Sequence, residues 1–285
     1  MTPPNATRRS LSIASGTDMG DAEPAPERWS SGRANVARIY DYLLGGKDNY
    51  DVDRQAAERL LALVPDAAVA AWDNREFLGR TVRFLAEEKG IRQFLDIGTG
   101  LPTRTNVHSI AHESAPDARV VYVDYDPVVI SHARALLCKT RAVCAVEGDL
   151  RAPEDILAKP ELRAQINCGQ PVAVLLIAIL HFIGDADDPW RIVNVLKDAV
   201  PRGSYLVISH VTADHVSPAI AREVRDLYGV TSAAATPRSH ADIARFFDGL
   251  EIVPPGLVNV ASWRPGWMPV NPGRTLFLGG AGRKA

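Results

Sequence analysis

From residue 91 onward the chain alternates between short runs rich in Val, Ile, Leu and Tyr and longer stretches with helical spacing. The runs are QFLDIG (93–98), RVVYVDYD (119–126), AVCAVEGD (142–149), VAVLLIAIL (172–180) and SYLVISHV (204–211). Neighbouring parallel strands need a crossover long enough for a helix, so this alternation predicts a doubly wound, mostly parallel α/β sheet covered on both faces. The fourth run is apolar at every position rather than at alternate ones, as a central strand between two helical layers requires. The spacing predicts helices over 104–114, 127–138, 189–200, 215–228 and 239–247, with Asp126-Pro127 and Ser239 as starts. LEIVPPGLVNVASW (250–263) and RTLFLGG (274–280) then read as two strands joined by a connection rich in Trp, Pro and Gly, an antiparallel pair at the sheet edge.

Residues 31–90 read differently. Val36, Ile39, Tyr40, Leu43 and Leu44 fall at helical spacing ahead of Gly45-Gly46, which is placed to end that helix. RQAAERLLALV (54–64) is a second periodic run, stopped by Pro65. NREFLGRTVRFLAEEKG (74–90) is a third, with Phe77, Val82, Phe84 and Leu85 near one face and Gly90 at its end. The segment 31–90 is therefore expected to be a helical unit ahead of a sheet domain at 91–285. Arg8-Arg9 stands where a twin-arginine export signal would, but TDMGDAEPAPER follows in place of the apolar stretch such a signal needs, so residues 1–30 read as a disordered tail.

Composition narrows the functional classes. With 285 residues, 46% hydrophobic content and a formal net charge of -2, the chain has enough apolar side chains for a core and no global charge that would attract nucleic acid or an anionic membrane. Small-molecule chemistry is the expectation, with neither nucleic acid nor a membrane as partner. The longest uncharged apolar run, Val172 to Leu180, is about half of what a helix needs to cross a bilayer. Three irregularly spaced cysteines, Cys138, Cys144 and Cys168, fit neither a disulfide framework nor a zinc cluster, so the cytoplasm is the expected compartment.

The segment QFLDIGTGLPT runs from a strand into a glycine turn. Gly98 and Gly100 let the backbone turn tightly and approach a ligand without a Cβ, and a helix starting near Thr103 would aim its N–H groups at that ligand. The next strand ends in YVDYD, where Asp124 is placed to accept from both hydroxyls of a ribose, and the third ends in EGD, which adds Asp149 at the same sheet edge. The alternative is a short turn followed by acids that cap helices, and Asp126 before Pro127 is a cap by its position. A nicotinamide-dependent oxidoreductase shares a glycine turn and a ribose acid but needs G-x-G-x-x-G, and Thr103 occupies the last position. A cofactor-binding protein without catalysis also fits these residues.

The order FLDIGTG, VVYVDYDP, EGDL resembles the class I S-adenosylmethionine-dependent methyltransferases over 91–285. The longer set RIYDYLLGGKDNYDVDR, NREFLGRTVRFL, FLDIGTGLPT, VVYVDYDP and LLIAILHF is similar to an actinobacterial S-adenosyl methyltransferase family, formerly a domain of unknown function, from residue 31 to the end. The resemblance implies a Rossmann-like seven-stranded sheet with an antiparallel edge strand, preceded by a helical lid, and S-adenosylmethionine as cofactor. It also implies that Asp96, Gly98, Thr99 and Gly100 surround the amino-acid portion of the cofactor, Asp124 holds the ribose and Tyr125 lies against the adenine. Asp149 would meet the adenine amino group with Leu150 beside it, and Ala178 to His181 would face the methyl group. GTGLPT departs from the common GxGxG form in lacking its third glycine.

Methyl transfer from a sulfonium needs orientation and a dry pocket more than a dedicated base. If the acceptor is a hydroxyl or an ammonium, a histidine can take its proton, and His181 is the preferred candidate over His210; each has the alternative of closing a buried strand by hydrogen bonding. His210, Asp214 and His215 of SHVTADH do not share a helix face, so no metal is expected. Trp263 and Trp267, with Arg264 between them, either cover an aromatic acceptor or pack the edge strands. Asn74 and Arg75 are placed to meet the methionine carboxylate, or else to sit in a solvated helix start capped by Asp73 or Asn74.

The stretch YDYLLGGKDNYDVDR (40–54) fails as a phosphate loop, because Asp41 and Asp48 stand where the Walker pattern needs Gly and Ser or Thr. It fails as a calcium loop because Asp53 stands where that loop needs Gly. What remains is a polar turn of Lys47, Asp48, Asn49 and Tyr50, which the resemblance places beside the methyl-transfer pocket as part of a lid. The acceptor and the oligomeric state stay open.

Overall fold

The computed structural model describes residues 32–103, 105–214, 216–265 and 276–285. The tail expected at 1–30, His215 and Trp267 lie outside the described residues. Five strands, β1 (Gln93–Ile97), β2 (Arg119–Asp124), β3 (Val143–Glu147), β4 (Ala173–Ile177) and β5 (Tyr205–Val211), pair in parallel in the order β3-β2-β1-β4-β5. The chain leaves β1 to one side through β2 and β3 and returns to its other side with β4. The crevice beyond the carboxyl ends of β1 and β4 is therefore the topological switch point, where open α/β sheets bind ligands.

The sheet has eight strands rather than seven. The segment expected as one edge strand supplies two, β6 (Glu251–Ile252) and β7 (Val258–Asn259), because Pro254-Pro255-Gly256 between them cannot continue a ladder. Both pair antiparallel with β8 (Phe277–Arg283), which is itself antiparallel to β5, so the antiparallel portion is three strands and β8 lies inside the sheet. The glycines of β8 let the preceding helical segment and the residues after β7 approach closely: a Cβ at Gly279 would lie 2.8 Å from both Phe77 and Val260.

Helices cover both faces. Along β1, Phe94 joins one core cluster and Leu95 and Ile97 the other, which is the two-residue alternation of a pleated strand buried on both sides. α4 (Val107–Ser114), α5 (Pro127–Leu136), α8 (Pro189–Ala199), α9 (Pro218–Gly229) and α10 (His240–Ala244) match the expected helices, although α4 begins after Asn106 rather than at 104. Two six-residue helices, α6 (Pro153–Ala158) and α7 (Pro160–Gln165), were not anticipated; each opens on a proline and is too short to show a periodic stripe. Among the described residues no helix is long and apolar enough to cross a membrane.

The helices ahead of the sheet divide in two. α3 (Ala67–Glu87) buries Phe77, Val82, Phe84 and Leu85 in the same cluster as Phe94 and Trp263, and the Trp263 indole meets Phe77 and Phe84 edge-on at 5.5 and 5.7 Å. α1 (Val36–Leu43) and α2 (Asp51–Leu63) instead form a separate cluster, against which Val224, Leu227 and Tyr228 of α9 pack. Arg38 and Asp53 make a buried 2.6 Å ion pair between α1 and α2.

Candidate active site

A cavity of about 200 Å³ lies at the switch point, between the carboxyl ends of the parallel strands and a roof formed by α1, α2, the first half of α3 and α9. Its floor comes from strand ends. β1 runs into Gly98 and Gly100, both with positive φ (76° and 65°) that an L side chain adopts only with strain. A Cβ at Gly98 would lie 2.5 Å from Ile179, whereas one at Gly100 would meet nothing within 4 Å. Gly98 is therefore needed for packing beneath the turn. Gly100 leaves open a cradle that an added Cβ would fill.

The acids at these strand ends are held by the same turn. Asp124, at the end of β2, accepts from the Gly100 and Asp126 amides, each at 3.0 Å; Thr99 Oγ1 donates to Asp96 at 3.1 Å. Burial pushes Asp96 up to about 6, an effect opposed by Arg75 and by the Thr99 hydroxyl. Burial also pushes Asp124 up to about 6, against its amide donors. Asp126 is the N-cap of α5, accepting from Val128 N at 2.8 Å, and also accepts from Asn35 Nδ2 at 2.7 Å. It is thus both a cap and the point where the roof meets the floor.

From the roof, Arg75 of α3 donates to Thr103 Oγ1 at 2.7 Å and to the Thr105 carbonyl at 2.5 Å. Thr103, expected to begin the helix, instead lies ahead of it, tied to Asn106 through its amide and carbonyl and to Arg75 through its hydroxyl. Asn74 is neither solvated nor a cap. Its Nδ2 donates to Tyr40 Oη at 2.9 Å, and its Oδ1 is buried among cavity-lining residues with no hydrogen-bond partner. A buried acceptor without a donor is costly, so its presence in a cavity wall marks a place for a ligand N–H or O–H.

At the end of β4, Ala178 has φ 54°, a left-handed conformation rare for a residue with a Cβ, and its amide is held by Ser209. The two histidines have different surroundings. His210 places Nδ1 against the Val211 carbonyl at 2.8 Å and Nε2 against Arg238 Nη1 at 3.0 Å, so Nδ1 carries the proton and Nε2 accepts. Burial, together with Arg238, pushes it down to about 3 despite the Val211 bond, leaving a neutral structural residue. His181 lines the cavity with a buried Nδ1 that has no partner; burial, then His210 and Arg238, hold its pKa well below the ordinary histidine value.

Of the residues singled out by sequence, Arg75, Asp96, Gly98, Thr99, Gly100, Asp124, Tyr125, Ala178 and His181 all line this cavity. Asp149, Leu150, Lys47, Asp48, Asn49 and Tyr50 are not among its lining residues. Asp149 is bound by the Arg151 amide and guanidinium; these bonds outweigh the upward push of burial and hold it below the usual carboxylate range. Leu150 is buried in the core. The turn of Lys47 to Tyr50 is organised by Asp41, which accepts from Asp48 N at 2.9 Å and Asn49 Nδ2 at 2.8 Å and does line the cavity. Tyr50 is exposed under the Arg38 guanidinium. Trp263 is fully buried against α3 and does not line the cavity. Sequence reading gave Asp41 and Tyr40 no place in the site, and it did not anticipate the apolar wall from α9. Among the described residues no three His, Cys, Asp or Glu side chains are grouped to hold a metal ion.

The model of a family described as S-adenosyl methyltransferase matches residues 22–285. The chain belongs to that family. It is 40% identical to a Thermobifida fusca YX protein classed as a methyltransferase, over 93% of this chain and 99% of that one, with a TM-score of 0.84. It is 41% identical to a DUF574-family protein from Streptomyces avermitilis MA-4680, over 89% of this chain and 98% of that one, again with a TM-score of 0.84. An O-methyltransferase family protein from Burkholderia thailandensis, 16% identical over 91% of this chain and 66% of that one, shares the fold with a TM-score of 0.50. No curated protein matches. This family member is an S-adenosylmethionine-dependent methyltransferase, and its cavity suits the cofactor: an unfilled cradle at Gly100, the buried carboxyl of Asp124 at the end of β2 and an unpartnered acceptor at Asn74 line one space.

Proposed function

We propose that this methyltransferase acts on a small molecule enclosed with the cofactor beneath the α1, α2 and α9 roof. The observation that carries the proposal is the enclosure itself: the switch-point crevice is covered by helices rather than open to a polymer. We assign Asp124 to the ribose hydroxyls, Tyr125 to one face of the adenine, and Asp96, Thr99 and the Gly98 to Gly100 turn to the amino-acid portion. Arg75 takes the methionine carboxylate. Asn74 Oδ1, being an acceptor, takes the ammonium rather than the carboxylate. Asp149 and Leu150 meet the adenine edge from the end of β3, with Arg151 sharing the Asp149 carboxylate.

When bound, the cofactor supplies a methyl group on a positively charged sulfur. The protein holds it in line with the acceptor, excludes water with the apolar roof, and offers His181 to a departing proton. Residues 31–90 contribute the roof, with Lys47 to Tyr50 acting through Asp41 at its margin. The two close relatives come from Thermobifida and Streptomyces, which supports an actinobacterial source, and the small-molecule reading fits a cytoplasmic enzyme.

The test is to incubate the protein with methyl-labelled S-adenosylmethionine and fractionated actinobacterial extract. Label should enter the low-molecular-weight fraction. Label confined to protein or nucleic acid would defeat the small-molecule reading.

A further inference from the structure

The acceptor's chemical class follows from what the rest of the cavity lacks. Every charged side chain that lines it already has a protein partner: Asp41 holds the Asp48 and Asn49 donors, Arg75 holds Thr103 and Thr105, Asp96 holds Thr99, Asp124 holds two amides, and Asp126 holds Asn35 and Val128. Asp96, Asp124 and Arg75 are, in the reading above, committed to the cofactor. Beside the polar groups of Asn35, Tyr40, Asn74, Thr99 and Thr103, most of which are hydrogen-bonded within the protein, the remaining wall is mainly apolar, with Leu43 and Leu60 from α1 and α2 and Val224 from α9.

Around His181 this wall becomes aromatic. Phe182 lies 4.3 Å and Phe277 5.8 Å from the imidazole between ring centres, and Tyr228 lies 5.7 Å from Phe182; all three line the cavity. Within this aromatic group the one buried side-chain nitrogen or oxygen that lacks a partner is Nδ1 of His181.

We propose, on the basis of the methyltransferase reading above, that the acceptor is an uncharged aryl hydroxyl compound. Its ring lies against Phe182, Tyr228 and Phe277, and its hydroxyl donates to Nδ1 of His181. A carboxylate on the acceptor would be buried beside four carboxylates with the lining guanidinium, Arg75, already engaged, and an ammonium would have to draw Asp41 or Asp126 away from the donors each already holds; that desolvation is what the cavity uses to reject them. A flat ring instead gains edge and face contacts with three aromatic side chains.

The step balances. As the acceptor oxygen forms its bond to the methyl carbon, the sulfur–carbon bond pair stays on sulfur to give a neutral thioether, and the hydroxyl proton passes to Nδ1. The positive charge thus moves from sulfonium to imidazolium. Neutral His181 can receive that proton because the oxygen becomes strongly acidic as it is methylated, and its depressed basicity returns the proton to solvent when the cavity opens.

The experiment uses the full chain in three stages. S-adenosylhomocysteine binding is measured first by isothermal titration; no binding would mean that the cofactor reading, not the acceptor class, has failed. The loaded protein is then titrated with 2-naphthol, 2-naphthoate and protonated 2-naphthylmethylamine, and with the corresponding 4-phenylphenol series. In each series the neutral hydroxyl compound should bind at least thirtyfold more tightly than its charged counterparts. Equal or tighter binding of a charged member, or no binding by either hydroxyl compound, overturns the proposal while leaving the cofactor reading intact.

Finally, labelled methyl transfer to the bound naphthol is compared in wild type and His181→Gln. The variant should keep naphthol affinity within about threefold and lose turnover by about a hundredfold or more, the range for a positioned proton acceptor. Should His181→Gln fail to bind S-adenosylhomocysteine, the wild-type charge series decides alone. Undiminished turnover in a variant that binds both compounds would remove His181 from the step.

Discussion

Gly98 and Gly100 have nearly the same left-handed φ, yet the structure assigns them different work, and alanine at each position separates the two. At Gly98 the new Cβ takes on left-handed strain, about 1–2 kcal/mol. It also overlaps the Ile179 side chain, with distances of 2.5, 2.7 and 2.8 Å to three of its carbons. Overpacking of that kind adds about 1–3 kcal/mol, so Gly98→Ala should lose roughly 2–5 kcal/mol of folding stability. At Gly100 only the strain term applies, since a Cβ meets no protein atom within 4 Å. Gly100→Ala should therefore lose about 1–2 kcal/mol while projecting a methyl group into space kept for the cofactor. Urea unfolding read by circular dichroism gives the first pair of numbers, and titration with S-adenosylhomocysteine gives the second. Gly100→Ala should show the larger loss of affinity relative to its loss of stability. Equal destabilisation by the two variants, or a Gly100→Ala protein that binds like wild type, would refute this division of labour.

Two other outcomes are expected. Because Asp96 and Asp124 are both pushed up to about 6 and the proposed function has the ribose hydroxyls donate to the Asp124 carboxylate, S-adenosylhomocysteine affinity should be flat above neutral pH and fall as pH drops through about 6. The fall is about tenfold per pH unit for each carboxylate that must be ionised, and Asp124→Asn should flatten its share. Stability of the ligand-free chain has the opposite sign: these raised carboxyls contribute stability that is present below 3.8 and lost as pH rises through about 6, about 3 kcal/mol each. Separately, Arg38→Met leaves the fully buried Asp53 with the Asn35 and Tyr50 amides but without its counter-charge and should cost about 3–5 kcal/mol in a urea titration; an unchanged midpoint would show that water replaces the guanidinium.

The parallel half of the sheet was legible because its signal is local. Each strand is one apolar run, and each functional group at its end is fixed by the backbone next to it: Gly98 and Gly100 after β1, Asp124 closing β2, Ala178 and His181 after β4. The first half of α3 was less visible because Ala67 to Ala71 carry almost no amphipathic contrast, although alanine is the best helix former. The polar turn of Lys47 to Tyr50 attracted attention by composition, yet composition does not say which way a turn faces; Asp41, inside a helix and apparently ordinary, is the residue that gathers it. The unpaired Oδ1 of Asn74 and the difference between His181 and His210 lie in partners that are distant in sequence. Both histidines follow or end a buried strand, and only Arg238 from a later loop occupies one of them.

That distance is also what gives the site its roof. Asn35 caps α1 through Oδ1 while its Nδ2 reaches Asp126, and Val36 N donates to Ser232 Oγ at 3.1 Å while Ser232 N donates to the Ala34 carbonyl at 2.9 Å. Arg75 adds a third tie, to the loop after the glycine turn. The first of these ends two residues from Asp124, and the third ends three and five residues after Gly100. A ligand that settles on Asp124 and Gly100 therefore presses on the same segments that hold the roof. Since the α1–α2 cluster has its own small core and its own buried ion pair, it can respond to that pressure as a unit rather than residue by residue. The strand ends that form the floor and the helices that form the roof are thus joined by hydrogen bonds between residues far apart in the chain, which is why the strand motifs alone do not announce the roof.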